Sequence, residues 1–175
     1  RYTAGEDHLL DARLVAHDVQ ASIAHAQMLH AQKLLSAADL SAIVSGLELL
    51  GVAHAAGEWQ ISLEEEDCHT ALERRLTLAI GEAGKRVHLG RSRNDQVLTA
   101  LRLYLREAAG GIAEAAEDVA AALDELSARE NDTDLPGYTH MQQAMPSSVS
   151  LWAGGFAAEL RDDAAGIEAS RRRIN

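Results

Sequence analysis

The chain has 175 residues, of which 47% are hydrophobic and only 3% are aromatic. It can therefore bury a core, and because alanine is abundant we expect that core to be aliphatic and closely packed, which favours helices over sheets. The formal net charge of −11, from 27 acidic and 16 basic residues, opposes a general surface for nucleic acid or for an anionic membrane.

Cysteine content and hydropathy indicate in which cellular compartment the protein is expected. The single cysteine, Cys68, excludes an intrachain disulfide. No apolar run approaches ~18 residues and no signal peptide opens the chain, so we expect no transmembrane span and a cytoplasmic location. Because the chain begins at Arg1 without a methionine and ends at Asn175 just after a helical pattern, we also expect a fragment of a longer protein.

Amphipathic patterns predict three helices in the N-terminal part of the chain. The first covers residues 8–34, with a break before Ser22 left open. The second starts at the capping-box residue Ser36 and stops near Gly57. The third covers residues 64–81, where acidic residues in the first turn would interact favourably with the helix dipole. A short extended segment, not part of a sheet, is expected between the last two.

A much longer helix is predicted to follow. Ser92 and Asp95 have the spacing of a capping box, so this helix should begin near Ser92. Its apolar residues recur every seven positions, which predicts a helix packed lengthwise against others, and alanines at intervening positions allow close approach. Over about 43 Å, such a seam suits an extended bundle. The seam consists of Leu98, Leu105, Ile112, Val119 and Leu126.

The last part of the chain is predicted to be a loop followed by a helix. Residues 128–148 are polar at first and contain Pro136 and Pro146, so we predict a loop with enforced turns. From Val149 the helical period returns, which gives an antiparallel partner for the long helix.

Together these elements predict an all-α fold with two domains. A small helical N-terminal domain (residues 1–89) precedes the first long helices of an extended central helical bundle (residues 90–175). No repeat of fixed period and no low-complexity tract suggests another architecture.

The first turn of the long helix is a candidate anion site. Two guanidinium groups, a hydroxyl and an amide lie at the positive end of a helix dipole, where carboxylate or phosphate binds readily. A solvated loop with two arginines is the alternative, and these residues alone do not decide between them. The residues are Arg91, Ser92, Arg93 and Asn94.

His140 is the candidate for proton transfer. It lies in the segment PGYTH between two predicted helices, and an imidazole exchanges protons near neutral pH. Thr139 and Gln142 beside it offer hydrogen bonds to a polar ligand. Residue type alone favours the alternative of a histidine that only caps a helix end. Asp67 and His69 form a weaker candidate pair, for which a helix cap is the competing interpretation.

We expect no metal and no bound cofactor. None of the eight histidines sits in a His-x-x-x-His pair or a Cys/His cluster. The sequence also lacks GxGxxG, a Walker loop, GxSxG and a Cys/His dyad pattern.

Four motifs, in this order, resemble argininosuccinate lyases of the fumarase and aspartase superfamily. GRSRNDQ and GYTHMQ, separated by one long helix, carry most of the specificity. The resemblance runs along the whole chain and covers only the N-terminal portion of such an enzyme. The motifs are DVQASIAHAQML (residues 18–29), EEDCHTALERRL (65–76), GRSRNDQ (90–96) and PGYTHMQ (136–142).

The resemblance implies an activity and a set of site residues. Argininosuccinate lyases cleave argininosuccinate to arginine and fumarate by β-elimination, which requires stabilising an aci-carboxylate and assisting the departing nitrogen. His140 would serve in proton transfer, and Ser92 with Arg93 would help bind carboxylates. Substrate contacts are implied for Ser22, Asn94, Thr139 and Gln142, and supporting positions for Asp67, His69 and Arg91.

The resemblance also implies a homotetramer whose active sites each combine three chains, without a cofactor. Gln143 and Met145 differ from the residues usual after the histidine motif, and Cys68 replaces an aliphatic residue. The catalytic serine loop of the family lies beyond Asn175, so we expect the chain to be inactive alone. Two alternatives stay open: another lyase of the superfamily, such as one acting on adenylosuccinate, and a non-catalytic, crystallin-like helical protein.

Overall fold

A computed structural model of the protein describes residues 5–131 and 133–174. Within them the secondary structure is helical except for a two-stranded antiparallel sheet, in agreement with the predicted all-α fold. The chain divides into two compact units, Arg1–Tyr104 and Leu105–Asn175.

The helices of the first unit largely follow the apolar pattern, with one break displaced. The break left open before Ser22 is absent, because the chain is helical on both sides of it; the interruption is a 3₁₀ helix at Asp11–Arg13. A second 3₁₀ helix, Gly81–Arg86, fills the glycine-containing stretch before the long helix. The α-helices are α1 (Asp7–Leu10), α2 (Val15–Ala31), α3 (Ala37–Ala55), α4 (Cys68–Ile80) and the beginning of α5 (Arg93–Arg129).

Side-chain caps fix where two of these helices begin. At the start of α3, Ser36 Oγ accepts the Asp39 amide at 3.1 Å, as the capping-box spacing predicted. Asp67 Oδ1 accepts the Thr70 amide at 2.7 Å, so α4 begins at Cys68. The predicted start at residue 64 is therefore wrong, and the acidic residues precede the first turn instead of lying in it.

The core of the first unit lies where α2, α3 and α4 meet. Ile43 and Leu47 of α3 and Leu76 of α4 are buried in one aliphatic cluster. Gly84 allows the second 3₁₀ helix to pack closely, because a Cβ atom there would lie 2.6 Å from the Cα atom of Thr77.

Helix α3 is long and apolar enough to cross a membrane, by length and composition alone. The absence of a transmembrane span stays a prediction, because length and composition alone do not decide it. A core helix passes the same test, and α3 buries Ile43, Gly46 and Leu47 while Leu49 and Val52 are exposed.

The first three turns of α5 belong to the first unit. Ala100 is buried, Gln96 bonds to Asp18 of α2, and the Tyr104 ring lies edge-on to His17 with centroids 5.7 Å apart. The units accordingly divide at residue 104, whereas the change in sequence pattern suggested residue 89.

In the second unit, the rest of α5 packs against α6 (Val149–Arg171). Arg161 pairs with Asp124 at 2.5 Å, and Ser127 Oγ lies 3.0 Å from Ser150 Oγ, so the helices run antiparallel, as predicted. Small side chains bring them close together. The buried alanines of this unit are Ala120, Ala153, Ala157 and Ala164.

The apolar residues that recur every seven positions along α5 lie on an exposed face of that helix. Leu105, Ile112 and Val119, the apolar stripe of the second unit, are between 41% and 59% exposed. Trp152 and Phe156 of α6 are also about half exposed, and their ring centroids lie 5.3 Å apart. These apolar side chains are only partly covered by the described residues of their own unit.

The segment predicted to be a loop is a β-hairpin. Strand β1 (Asp134–Thr139) pairs antiparallel with β2 (Gln142–Ser148). The loop prediction is wrong because Pro136 and Pro146, which were expected to enforce turns in a loop, are register partners of each other in the sheet. Both strands of a two-stranded sheet are edges, where the missing N–H of proline is tolerated.

Candidate active site

The predicted site residues fall into two groups, one in each unit. In the first unit they surround the start of α5, and in the second they lie at the hairpin turn. The first group comprises Ser22, Asp67, His69, Arg91, Ser92, Arg93 and Asn94, and the second comprises Thr139, His140 and Gln142.

Arg93, the first residue of α5, forms an exposed rim with the start of α4. Its Nη1 donates to Asp67 Oδ2 at 3.1 Å and to Thr70 Oγ1 at 2.6 Å. The Arg93 side chain is 50% exposed, so further N–H groups of the guanidinium are available to a carboxylate.

Asp67 carries a charge at this rim. Partial burial acts to raise the pKa of its carboxyl, but hydrogen bonds from Thr70 and the charge of Arg93 outweigh it, so the pKa lies below its ordinary value of 3.8. At neutral pH the ionised carboxylate therefore caps α4 and holds Arg93 at the same time.

Ser92 and Asp95 are hydrogen-bonded to each other at the start of α5. The Ser92 amide and hydroxyl both donate to Asp95 Oδ2, at 2.9 and 3.0 Å, and these bonds lower the pKa of the Asp95 carboxyl. The first N–H groups of a helix have no partner within it. A bound anion at this helix start would use those amides and Arg93, in competition with the Asp95 charge. Asn94 beside them is exposed.

A buried polar network lies in the same unit, centred on Asp18. Asp18 is completely buried, and its oxygens accept hydrogen bonds from Ser22 Oγ at 3.1 Å and His69 Nδ1 at 2.8 Å. The Gln96 side-chain amide of α5 donates to both oxygens at 3.1 Å. The network therefore joins α2, α4 and the start of α5.

Two predicted site residues, Ser22 and His69, are enclosed within this network. Their exposures are only 1% and 2%, and His69 Nε2 has no hydrogen-bond partner among the described residues. Arg91 Nη2 donates to Ser22 Oγ at 3.4 Å. Burial lowers the pKa of Arg91, while the charges of Asp18 and Asp95 oppose the shift. A ligand would reach Ser22 only if neighbouring side chains moved.

The statement that no histidine belongs to a Cys/His cluster is wrong for His69, because Asp11, Cys68 and His69 each place a possible metal-ligand atom within 4.8 Å of the other two. Burial raises the pKa of the Cys68 thiol well above its ordinary value, and the nearby carboxylates of Asp18 and Asp11 add to this effect. The thiol is therefore protonated at neutral pH, whereas metals bind the thiolate. We assign no metal to this cluster, and the absence of a metal stays a prediction.

The hairpin turn brings together the predicted residues of the second unit. Thr139 and Gln142 are register partners, and His140 and Met141 form the two-residue turn between them. His140 and Met141 have φ values of 48° and 63°, the left-handed pair of a type I′ turn. All four side chains are exposed, so His140 is accessible at the tip.

Comparison with known proteins identifies the family. A protein-family model described as Lyase matches residues 3–175, almost the entire chain. The chain belongs to this lyase family.

The curated relatives of this chain belong to the family that the motifs indicated. The argininosuccinate lyase of Sorangium cellulosum (strain So ce56) is 47% identical over 175 residues, which are 100% of this chain and 41% of that protein. The argininosuccinate lyase of Stenotrophomonas maltophilia (strain K279a) is 43% identical over 164 residues, which are 93% of this chain and 38% of that protein. These matches confirm the predicted resemblance. The lyase chain spans about two fifths of the length of these relatives.

Solved structures share the fold of the lyase chain. A variant of EDDS lyase with bound fumarate matches with a TM-score of 0.80 at 26% identity, covering 99% of this chain and 34% of that chain. A fumarate lyase:delta crystallin from Brucella melitensis matches with a TM-score of 0.76 at 19% identity, covering 93% and 42% respectively, and shows the fold alone.

Sequence reasoning missed two buried residues that adjoin the predicted site residues, Asp18 and Gln96. Both lie inside motifs that carried the resemblance. The available signal was the spacing of Asp18 and Ser22, which are four residues apart and so share one face of α2. No local pattern indicates that Gln96 bonds to a side chain on α2.

Proposed function

We propose that this lyase chain forms part of an argininosuccinate lyase, a carbon–nitrogen lyase that cleaves argininosuccinate to arginine and fumarate. One observation carries the proposal: the helix start Arg91–Asn94 is linked to a buried carboxylate network through Arg91 and Gln96. The 47% identity to the protein of that name from Sorangium cellulosum supports it.

The proposed reaction is a β-elimination. A base removes the proton beside a substrate carboxylate, and the electron pair collects as an aci-carboxylate before it forms the carbon–carbon double bond of fumarate. The carbon–nitrogen bond then breaks, and its electron pair stays on the guanidino nitrogen of arginine, which a proton donor assists. We assign His140 to one of these proton transfers, since its imidazole is accessible at the hairpin tip.

The negative charge of the aci-carboxylate requires fixed donors. We assign this role to Arg93, to Ser92 and to the amides of the first turn of α5, where the helix dipole also favours an anion. Because the Ser92 hydroxyl donates to Asp95, Ser92 must exchange that bond to bind the substrate. The remaining proposed substrate contacts are Ser22, Asn94, Thr139 and Gln142, and Asp67, His69 and Arg91 support them.

We further propose a homotetramer with active sites shared between subunits, acting in the cytoplasm in arginine biosynthesis. The exposed apolar stripe, Leu105, Ile112 and Val119, supports the assembly, because a contiguous apolar face usually marks an interaction surface. The net charge of −11 supports a small-molecule ligand over nucleic acid or an anionic membrane.

A chimera tests the activity with the chain itself. Residues 1–175 replace the matching segment of the Sorangium cellulosum argininosuccinate lyase, and the ultraviolet absorbance of fumarate reports turnover of argininosuccinate. We expect turnover, and we expect His140→Asn to lower it by about 100-fold or more. Asparagine suits the left-handed backbone at residue 140, so the fold should persist.

The outcomes separate the alternatives, with the unmodified Sorangium cellulosum enzyme as control. A folded, tetrameric chimera that releases no fumarate contradicts the proposed function and favours a crystallin-like protein. Fumarate released from adenylosuccinate but not from argininosuccinate favours another lyase of the superfamily. Full turnover by the His140→Asn variant removes His140 from the mechanism.

A further inference from the structure

We propose that Asp18 is a positioning residue for the lyase reaction, which fixes a proton on Nδ1 of His69 and the direction of the Ser22 hydroxyl. The proposal rests on the proposed function, because it concerns the same site. It adds a residue to which the resemblance assigned no role.

The carboxylate of Asp18 is completely buried and joins three helices. Oδ2 accepts Nδ1–H of His69 at 2.8 Å, and Oδ1 accepts the Ser22 hydroxyl at 3.1 Å. The Gln96 amide donates to both oxygens at 3.1 Å. Three donor groups thus converge on two oxygens, an arrangement that a carboxylate satisfies and an amide does not.

These bonds determine what His69 and Ser22 offer to a ligand. Because Asp18 accepts, the His69 ring must carry a proton on Nδ1, so a second proton is not needed for this bond and the buried Nε2 is an acceptor in the neutral form of the ring. The Ser22 proton likewise points to Asp18, and the Ser22 oxygen accepts from Arg91. Asp18 therefore sets the hydrogen-bonding direction of two site residues without touching a ligand itself.

The first test observes the His69 proton in the 175-residue chain. Two-bond proton–nitrogen NMR correlations show which ring nitrogen is protonated, and His69→Asn identifies the signal. We expect a proton on Nδ1 with the downfield shift caused by a charged acceptor. In Asp18→Asn this signal should be lost, because an amide oxygen accepts more weakly and an amide NH₂ does not accept. A wild-type His69 protonated only on Nε2, or an unchanged signal in Asp18→Asn, overturns the proposal.

The second test measures activity in the chimera. Asp18→Asn should lower kcat/KM by about 10- to 100-fold, the loss expected when a buried hydrogen bond to a charged group is weakened. Glu65→Gln is the matched control, because Glu65 is a buried carboxylate of the same unit that bonds to Arg75 and to the Ser62 amide. We expect this control to keep its activity.

A double-variant cycle distinguishes positioning from general destabilisation. If Asp18 acts partly through His69, Asp18→Asn should lower kcat/KM less in the His69→Asn background than in the wild-type background, because only the effect through Ser22 remains, whereas independent losses multiply. Multiplying losses, or an equal loss in Glu65→Gln, overturns the positioning role.

The proposed function and the role of Asp18 fail in different ways. A folded but inactive wild-type chimera contradicts the function, and the lyase role of Asp18 with it, even where the His69 signal behaves as expected. An active chimera whose Asp18→Asn variant keeps full activity leaves the function intact and removes Asp18 from it.

Discussion

Arg93 and Asp67 form an ion pair that joins the start of α5 to the start of α4, with 3.1 Å between Nη1 and Oδ2. The same carboxylate caps α4 by accepting the Thr70 amide. One side chain therefore begins a helix and also holds the rim of the candidate site. Substitutions of Asp67 separate these two contributions.

Asp67→Ala should lower the free energy of unfolding by about 1–2 kcal/mol, because both the cap and the ion pair are lost. Asp67→Asn should lower it by less than about 1 kcal/mol, since asparagine still caps the helix and only the partly exposed ion pair is lost. Denaturant unfolding followed by circular dichroism measures both values. Equal losses in the two variants would contradict the capping role.

Acid should weaken the fold through the same carboxylate. The pKa of Asp67 in the fold lies below 3.8, so the unfolded chain takes up this proton at a higher pH than the folded chain. The stabilisation is therefore fully present above the unfolded pKa and is lost as the pH falls through the lower, folded pKa. Below about pH 4, the stability of the wild type should fall more steeply than that of Asp67→Asn. Parallel curves from unfolding measurements between about pH 7 and pH 3 would rule out this contribution.

The Cys68 thiol should be inert in the folded chain. Cys68 is fully buried, burial and the nearby carboxylates raise its pKa, and the reactive form is the thiolate. We expect a thiol reagent at mildly alkaline pH to label the denatured chain at once and the folded chain only as it unfolds. Glu58→Cys, at an exposed position, is the control for access of the reagent. Rapid labelling of folded wild-type Cys68 is the contrary result.

Two substitutions should change the stability of the hairpin in opposite directions. Met141→Gly should stabilise it by about 0.5–1 kcal/mol, because glycine adopts the left-handed backbone of residue 141 without strain. Gly137→Ala should destabilise it by more than about 1 kcal/mol, because the new Cβ would collide with the Met145 carbonyl oxygen. The rate of proteolysis within the hairpin measures both effects. Slower cleavage of the Gly137→Ala variant would contradict the geometry.

The long helices could be predicted from sequence because their signals are local. Ser36 caps α3 as its spacing indicated, and the apolar period after Ser92 and after Val149 marked α5 and α6. The hairpin could not be predicted in this way. Its turn, His140–Met141, lacks the glycine or asparagine that usually marks a type I′ turn, and its prolines are compatible with strands only because each strand is an edge.

The sequence indicated only those candidate site residues that lie in recognisable motifs. The exposed residues Arg93 and His140 were predicted as site residues because they lie in distinctive motifs, and the structure describes each within its own unit. Asp18 and Gln96 are 78 residues apart, and their contact depends on how α5 packs against α2. A pairing of that kind has no periodic signal in one sequence.

The apolar stripe of α5 leads to a prediction about assembly. Leu105, Ile112 and Val119 are partly exposed in the second unit, so the 175-residue chain should self-associate in solution. Ile112→Lys should weaken association by about tenfold or more, because burying an isoleucine contributes roughly 1.5–3 kcal/mol and a buried lysine is costly. Ala121→Lys is the control, since residue 121 lies on the opposite face of α5 and is also exposed. Sedimentation velocity over a range of concentrations measures the effect; a wild-type monomer, or equal shifts in the two variants, would show that the stripe is not an interface.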